Sequence, residues 1–473
     1  MRRLLAAVLM LCSGCAHLPG HPPPRPQMKT ADATATMASL AAGIVNQEPR
    51  AAADTWWQGF GRIDLNRLID SALSGQPDLA AAQARLDAAK HAEHLARLEG
   101  GLQYSTDASL ARHRLSDHGL LPVSVVGKLY TQADISQTVS YDLDWWGRNR
   151  SLLRAARDDH RAALDEVAAV RLDIAAAVAD AYFAWAETAV QLAQVRELAR
   201  CHRQQLDLLQ HRHALGLDAA QPGLDARRKL DLDADRISQL EFLDRSWRYR
   251  LSALIGSDPD HAGELPTPSL DARLPELPDS LPLGWLARRP DIASLRDRIE
   301  AASARSDAAR AEFYPDLDLK LMAGTESLDL GRLLDAGSVV GTLGLALHLP
   351  LFNTATLQAR LGMREAEYRA AVATYNQAIL DAARQSAEAY ALVVSLEQRS
   401  RSQRSALTEA EQMHALAEQR AVLGLSSSLA SLEAESVLLL QRISDSETRA
   451  ARLRAHVALF RAIGGDTNLE DRP

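Results

Sequence analysis

Three groupings in this chain have residue types that do chemistry, and each stops short of a site. Cys12-Ser13-Gly14-Cys15 has the spacing of a redox or zinc CxxC pair, but it closes an apolar run at the chain start, where processing signals sit. His91 and His94 lie about one helical turn apart around Glu93 and carry donors suited to a metal. With no third ligand near in sequence, they read as a solvated helix face. His211 and His213 alternate beside a turn and read as polar surface, with contact to a partner protein as the sharper alternative. Neither a phosphate-cradling glycine loop nor a nucleophile elbow is present. The sequence therefore offers no catalytic residue, no metal site and no cofactor.

The bulk numbers agree. The chain has 473 residues and a formal net charge of -8, and no Lys/Arg run stands out, which argues against nucleic acid as a partner. Aromatics make up only 5% while alanine is abundant, a composition that favours closely packed helices. Three cysteines cannot supply a disulfide framework, and Cys201, alone within a helical stretch, reads as inert packing.

The first residues carry an address. Met1-Arg2-Arg3 is basic, Leu4 to Leu11 is too short to span a bilayer, and small residues precede Cys15. This resembles a bacterial lipoprotein signal, with residues 1–14 removed and Cys15 lipidated, and with Cys12 where an aliphatic residue is usual. Ala16 follows, where an Asp would retain many such proteins at the inner membrane, so delivery to the outer membrane is expected. Residues 15–55, with Pro22-Pro23-Pro24 and Pro26, read as an extended tether.

What must position any site is a duplication with a period of about 210 residues. Gln76-Pro77-Asp78-Leu79 returns as Arg289-Pro290-Asp291-Ile292, Leu215-Gly216-Leu217 as Leu423-Gly424-Leu425, and Ala253-Leu254-Ile255-Gly256 as Arg461-Ala462-Ile463-Gly464. The first repeat is read as 56–256 and the second as 283–465, joined by a Pro- and Asp-rich linker at 257–282 and followed by a tail at 466–473. Each repeat pairs two strands with a long helical hairpin. The strands are expected at about 102–115 and 131–145, then 316–325 and 338–351; the hairpins at about 148–256 and 354–464. Between Arg148 and His213 there is no proline, and Ile174, Val178, Ala181 and Trp185 recur at the steps of a coiled-coil stripe.

The strands alternate. In 131–144 the odd positions Ala133, Ile135, Val139, Tyr141 and Leu143 are apolar and every even position is polar. Leu317, Leu319 and Leu321 stand against Asp316, Asp318 and Lys320 in the same way, as do Leu343, Leu345 and Leu347 against Thr342, Gly344 and His348. Four such strands leave open edges that a bilayer cannot tolerate, because no water is there to bond the free N–H and C=O groups. Three chains contributing four strands each would close a ring wide enough to stay wet.

Several motifs carry a resemblance. Leu286-Ala287-Arg288-Arg289-Pro290-Asp291-Ile292, Ala308-Ala309-Arg310-Ala311-Glu312-Phe313-Tyr314-Pro315, Leu349-Pro350-Leu351-Phe352, Trp56-Trp57 and Asp144-Trp145-Trp146-Gly147 resemble the outer-membrane efflux family of Gram-negative bacteria, in its lipoprotein subgroup. The resemblance implies a mainly α chain with β, forming a homotrimer with a twelve-stranded outer-membrane barrel and a periplasmic α-helical barrel. It also implies the role of exit duct in a tripartite drug pump, beside a periplasmic adaptor and an inner-membrane exporter. Arg212, Leu215, Gly216 and Leu217, with Arg420, Leu423, Gly424 and Leu425, would be the adaptor-docking hairpin tips. Many members carry an Asp five residues beyond the tip, where Pro222 and Ala430 stand here; Asp218 and Asp225 are the acidic candidates left for a periplasmic entrance. The competing reading is a periplasmic coiled-coil adaptor or scaffold lipoprotein, separated from the first by the lipid-compatible strands.

Overall fold

The computed structural model describes residues 28, 55–114, 129–275, 286, 288–350 and 352–465. The signal segment, Cys15, nearly all of the tether, the tail, Leu351 and most of 276–287 lie outside the described residues. Among the described residues the long elements are α1 (Ile63–Gly75), α2 (Pro77–Glu99), β1 (Gln103–Arg114), β2 (Leu129–Asp142), α3 (Arg148–Ala214), α4 (Gln221–Leu254), α5 (Pro290–Ala311), β3 (Asp316–Ser327), β4 (Val339–His348), α6 (Thr354–Val422) and α7 (Ser428–Ile463). The internal contacts divide them into two units, and each unit draws matching segments from both repeats, one from each in the first unit and two from each in the second. Of the described residues, 84–114, 129–164, 294–350 and 352–376 form the body of the first unit; 55–83, 165–275, 286, 288–293 and 377–465 form the second. The likeness between repeats thus becomes a pairing of corresponding segments inside each unit.

The first unit holds one antiparallel sheet in the order β1-β2-β3-β4. Its central ladder joins the two repeats, with Val139 opposite Leu321 and Tyr141 opposite Leu319. Beneath the sheet, Phe313, Leu357, Leu361 and Ala309 form a small apolar cluster between α5 and α6. Ion pairs supply the rest of the packing: Arg154 to Asp307 at 2.9 Å, Arg310 to Glu365 at 3.1 Å, and the contact between Arg305 and Asp159. Glu93, flanked by the two histidines of α2, is taken up in the same way. It accepts from Arg97 at 2.7 Å, stands 3.5 Å from Arg157, and lies 2.9 Å from His160 Nδ1. Hydrogen bonding from His160 holds its carboxyl below the usual carboxylate range.

The second unit has the larger core. The single helical turn Trp56–Phe60 inserts its aromatic side chains among α3 and α7, with Trp56 5.5 Å from the Phe460 ring and Phe60 5.2 Å from Phe183. Ile174, Val178, Ala181 and Trp185 are buried along one face of α3, and the indole of Trp185 donates to Asp244 at 2.8 Å. The apolar side chains of α4 are only partly covered: Leu240 and Leu251 are buried while Leu243 stays exposed.

One polar knot ties the chain start to this core. Arg62 grips Asp64 through two nitrogens at 3.0 and 2.8 Å, the buried Tyr182 hydroxyl donates to the same carboxylate, and the Ser269 N–H donates to that hydroxyl at 3.2 Å. Burial and the neighbouring carboxylate push the Tyr182 phenol up to about 12, so it remains a donor throughout the physiological range. Tyr182→Phe is expected to destabilise the protein by about 1–3 kcal/mol, because a half-buried carboxylate and a backbone N–H each lose a partner. The denaturant midpoint of the detergent-solubilised protein reads this directly; an unchanged midpoint would remove the knot from the account of stability.

Candidate functional site

Two places carry the functional geometry. The first is the sheet. Cross-strand partners share a face, so the registers sort every side chain. Tyr104, Ala108 and Leu110 on β1 stand opposite Val139, Ile135 and Ala133 on β2; these stand opposite Leu321, Thr325 and Ser327 on β3; and Leu317, Leu319 and Leu321 stand opposite Leu347, Leu345 and Leu343 on β4. The other face collects Asp107, Ser109, Gln132, Asp134, Ser136, Thr138, Ser140, Asp318, Lys320, Glu326 and Thr342.

The apolar face is not covered within the chain. Leu343 is 73% exposed and Leu321 47%, while the polar row Gln132, Asp134, Ser136, Thr138, Ser140 and Asp142 is half-buried. Polar side chains shield one another: Ser109 donates to Asp134 at 2.5 Å, and Gln132 donates to Glu326 at 3.0 Å. A sheet with one broad apolar face left uncovered and a self-satisfied polar face is suited to lie between lipid and a wet interior.

The sheet joins its helices through a tight corner. Asp144 adopts a φ of 40° and Gly147 one of 79°. The Asp144 carboxylate then accepts the backbone N–H groups of Asn149 at 2.9 Å and Arg150 at 3.0 Å, which satisfies the free donors at the start of α3. Trp146 stacks on Tyr314 with ring centres 4.4 Å apart and donates its indole N–H to the Pro315 carbonyl at 2.9 Å. The Asp-Trp-Trp-Gly motif of the first repeat and the Phe-Tyr-Pro motif of the second therefore meet at the base of the sheet. Asp142, Asp316 and Asp318 gather nearby and are the group of potential metal donors found among the described residues.

The second place is the pair of hairpin tips, both in the second unit. Gly216 has a φ of 72° and Gly424 one of 71°, the left-handed conformation that ends α3 and α6. The Leu217 N–H donates to the Arg212 carbonyl at 2.9 Å, and the Leu425 N–H to the Arg420 carbonyl at 2.8 Å, so the two turns are built alike. Leu215, Leu217, Leu423 and Leu425 all point outward, each between 62% and 71% exposed.

The side chains around them differ. Arg212 holds Asp218 with two hydrogen bonds at 2.6 and 3.0 Å, and that pairing keeps the Asp218 carboxyl below the usual carboxylate range. At the second tip Ser426 occupies the matching position and leaves the exposed Arg420 without a facing carboxylate there. Asp225 is engaged by Arg228 at 2.8 Å and Lys229 at 3.3 Å. The two acidic candidates near the first tip are thus brought not to each other but to separate cationic partners on their own hairpin. The Arg212–Asp218 clamp spans the turn and has no periodic signature, so reading the sequence by pattern passes over it.

Comparison with known proteins supplies the family. The family model described as outer membrane efflux protein matches residues 68–257 and 282–465, one match per repeat. Over 477 residues the chain is 29% identical to a probable efflux pump outer membrane protein, SepC, of Pseudomonas putida, covering 99% of this chain and 98% of that protein. It is equally 29% identical, over 475 residues, to the multidrug resistance outer membrane protein MdtP of Escherichia coli K12, covering 98% of this chain and 96% of MdtP. Among solved structures, the outer membrane protein VceC of Vibrio cholerae superposes with a TM-score of 0.79 at 29% identity, covering 88% of this chain and all of that one. CusC, whose structures concern transmembrane channel formation, superposes with a TM-score of 0.76 at 25% identity, over 90% of this chain. With its duplicated hairpins, its four-stranded sheet turned apolar side out and both repeats matched, this chain belongs to the outer membrane efflux protein family and serves as an efflux channel of the outer membrane.

Proposed function

We propose that three copies of this chain close their sheets into a twelve-stranded barrel and form the passive exit duct of a tripartite pump for drugs or other toxic small molecules. The sheet carries this reading: its registers gather a face of leucines that stays uncovered and put serines, threonines and every strand carboxylate among the described residues on the other. Lipid covers the first face and solvent wets the second. The related proteins named for toluene efflux and multidrug resistance support small toxic compounds as cargo. The duct makes and breaks no bond; a partner in the inner membrane supplies the energy. Extraction from outer membranes as a detergent-dependent trimer that unfolds only on heating is the expected result. A water-soluble single subunit that leaves planar bilayers silent would instead favour the scaffold reading.

The hairpin tips are the proposed docking points for a periplasmic adaptor. Arg212, Leu215, Gly216 and Leu217, and their counterparts Arg420, Leu423, Gly424 and Leu425, present exposed apolar side chains on a rigid left-handed turn. Opening of the duct would follow a shift of the hairpins when the adaptor engages. Asp218, paired with Arg212 across the turn, would act there by holding the closed hairpin rather than as a free carboxylate, while Asp225, paired with Arg228 and Lys229 along α4, would steady the start of that helix. Cys15 is the proposed lipid anchor. Replacing Gly216 and Gly424 together by Trp is expected to abolish drug resistance and adaptor crosslinking while the trimer still forms. Resistance and crosslinking equal to the unsubstituted protein would move the docking surface elsewhere.

A further inference from the structure

The apolar face of the sheet does not stop at the last strand residue. Tyr141, Leu143 and Trp145 carry its two-residue alternation out of β2 and into the corner, and all three line one cleft of about 450 Å³. The end of α2, at Arg97 and Gly100, and the start of α3, at Arg150 and Leu153, form its other walls. The cleft lies wholly within the first unit. Its size falls in the range of small-molecule sites, about 300–1,000 Å³. Of the two neighbouring tryptophans, Trp146 is fixed by its stack on Tyr314 and its bond to the Pro315 carbonyl. Trp145 is 73% exposed, and its indole N–H meets no acceptor among the described residues.

Acceptors in the cleft are already committed. Asp144 is the one carboxylate among its lining residues, and the backbone N–H groups of Asn149 and Arg150 hold its oxygens. The last carbonyls of α2 are capped in turn, since Gln103 Nε2 donates to Leu98 at 2.7 Å and to Glu99 at 3.2 Å. Donors, in contrast, are in surplus. Arg97 gives one guanidinium nitrogen to Glu93 at 2.7 Å, and Arg150 reaches Asp144 through two bonds of 3.3 Å each. Both arginine side chains are more than half exposed, and a guanidinium has five N–H donors, so several remain for an acceptor-rich anion.

We infer that this cleft binds a phospholipid of the periplasmic leaflet, its phosphate on Arg97 and Arg150, its glycerol region beside Trp145, and an acyl chain laid over Leu143 and Tyr141 onto the leucine face. The planar guanidinium matches phosphate geometry, and arginine stems bridge an apolar level and a polar one. An indole with an apolar body and one N–H suits the boundary between chains and headgroups. Continuity of the cleft with the lipid-facing strands argues for a lipid over a free phosphate ion, which has no use for an apolar wall. The site goes beyond the duct reading: it stands outside the bore and within one chain, and it rests only on which face of the sheet meets lipid.

Native mass spectrometry of the full-length protein, purified in detergent and given phosphatidylglycerol, tests it. One lipid per chain should stay bound under activation that strips diacylglycerol with the same acyl chains, and excess inorganic phosphate should not displace it. R97Q/R150Q should weaken retention about tenfold, whereas R154Q, whose arginine pairs with Asp307 away from the cleft, should leave it unchanged. W145A, which removes an exposed side chain without a hydrogen bond, should also weaken retention and serves if the double variant fails to assemble. Diacylglycerol held as firmly as phosphatidylglycerol, displacement of the lipid by phosphate, or unchanged retention in assembled R97Q/R150Q or W145A overturns the site. The assignment of the sheet faces is read separately, from assembly of Leu321→Arg, so the two failures are distinguishable.

Discussion

Leu321→Arg and Leu343→Arg should each prevent the protein from accumulating as a heat-modifiable trimer in the outer membrane, while Met322→Arg and Thr342→Arg should not. Leu321 and Leu343 are register partners on the apolar face, 47% and 73% exposed in the isolated chain. Met322 and Thr342 are partners one step along, on the opposite face. An arginine facing lipid near the bilayer midplane costs about 2–4 kcal/mol, and a trimer carries it three times. On the polar face the same side chain meets water and carboxylates. The measurement is the amount of unboiled trimer on a gel of outer membranes. If all four variants assembled equally, the assignment of faces would be wrong, and with it the reading of the sheet as a barrel wall.

Gly256→Ala should destabilise the second unit by about 3–5 kcal/mol, whereas Gly216→Ala should cost about 1 kcal/mol. Both glycines have left-handed backbones, with φ of 75° and 72°. Their surroundings separate them. A Cβ at Gly256 would lie 2.4 Å from the carbonyl oxygen of Gly75 and 2.8 Å from its carbon, whereas a Cβ at Gly216 would meet nothing within 4 Å. Gly75 cannot retreat cheaply, because it ends α1 and the next N–H, of Gln76, is committed to the Ala72 carbonyl at 2.9 Å. Limited proteolysis of purified trimer should show rapid cleavage for Gly256→Ala and a near-native pattern for Gly216→Ala. Equal resistance in both would mean that the close approach of the two backbones is dispensable.

The contrast between these glycines shows where sequence reading stops. Gly216, Gly256, Gly424 and Gly464 look alike in the repeat, each following a long apolar stripe, and all four do adopt positive φ. Which of them touches another backbone depends on a segment about 180 residues away in the case of Gly256 and Gly75, and no local period carries that information. The same holds for the first tip. Arg212 and Arg420 occupy matching places, yet one replacement, Asp218 against Ser426, turns an outward cation at one tip into a closed ion pair at the other.

The fold class was legible because its signals are local: a period of two in the strands, three-to-four steps in the helices, and a duplication that returns the same motifs. Those periods decide which side chains share a face, and hence that each strand separates oil from water. What they cannot decide is which strand lies beside which. Only the tertiary structure places β2 against β3, and with it Asp134 against Glu326, Asp142 against Asp318 and Trp146 upon Tyr314. Such contacts join residues more than 160 positions apart, so their energies belong to the closed sheet and the packed junction rather than to any stretch of chain that could be read on its own.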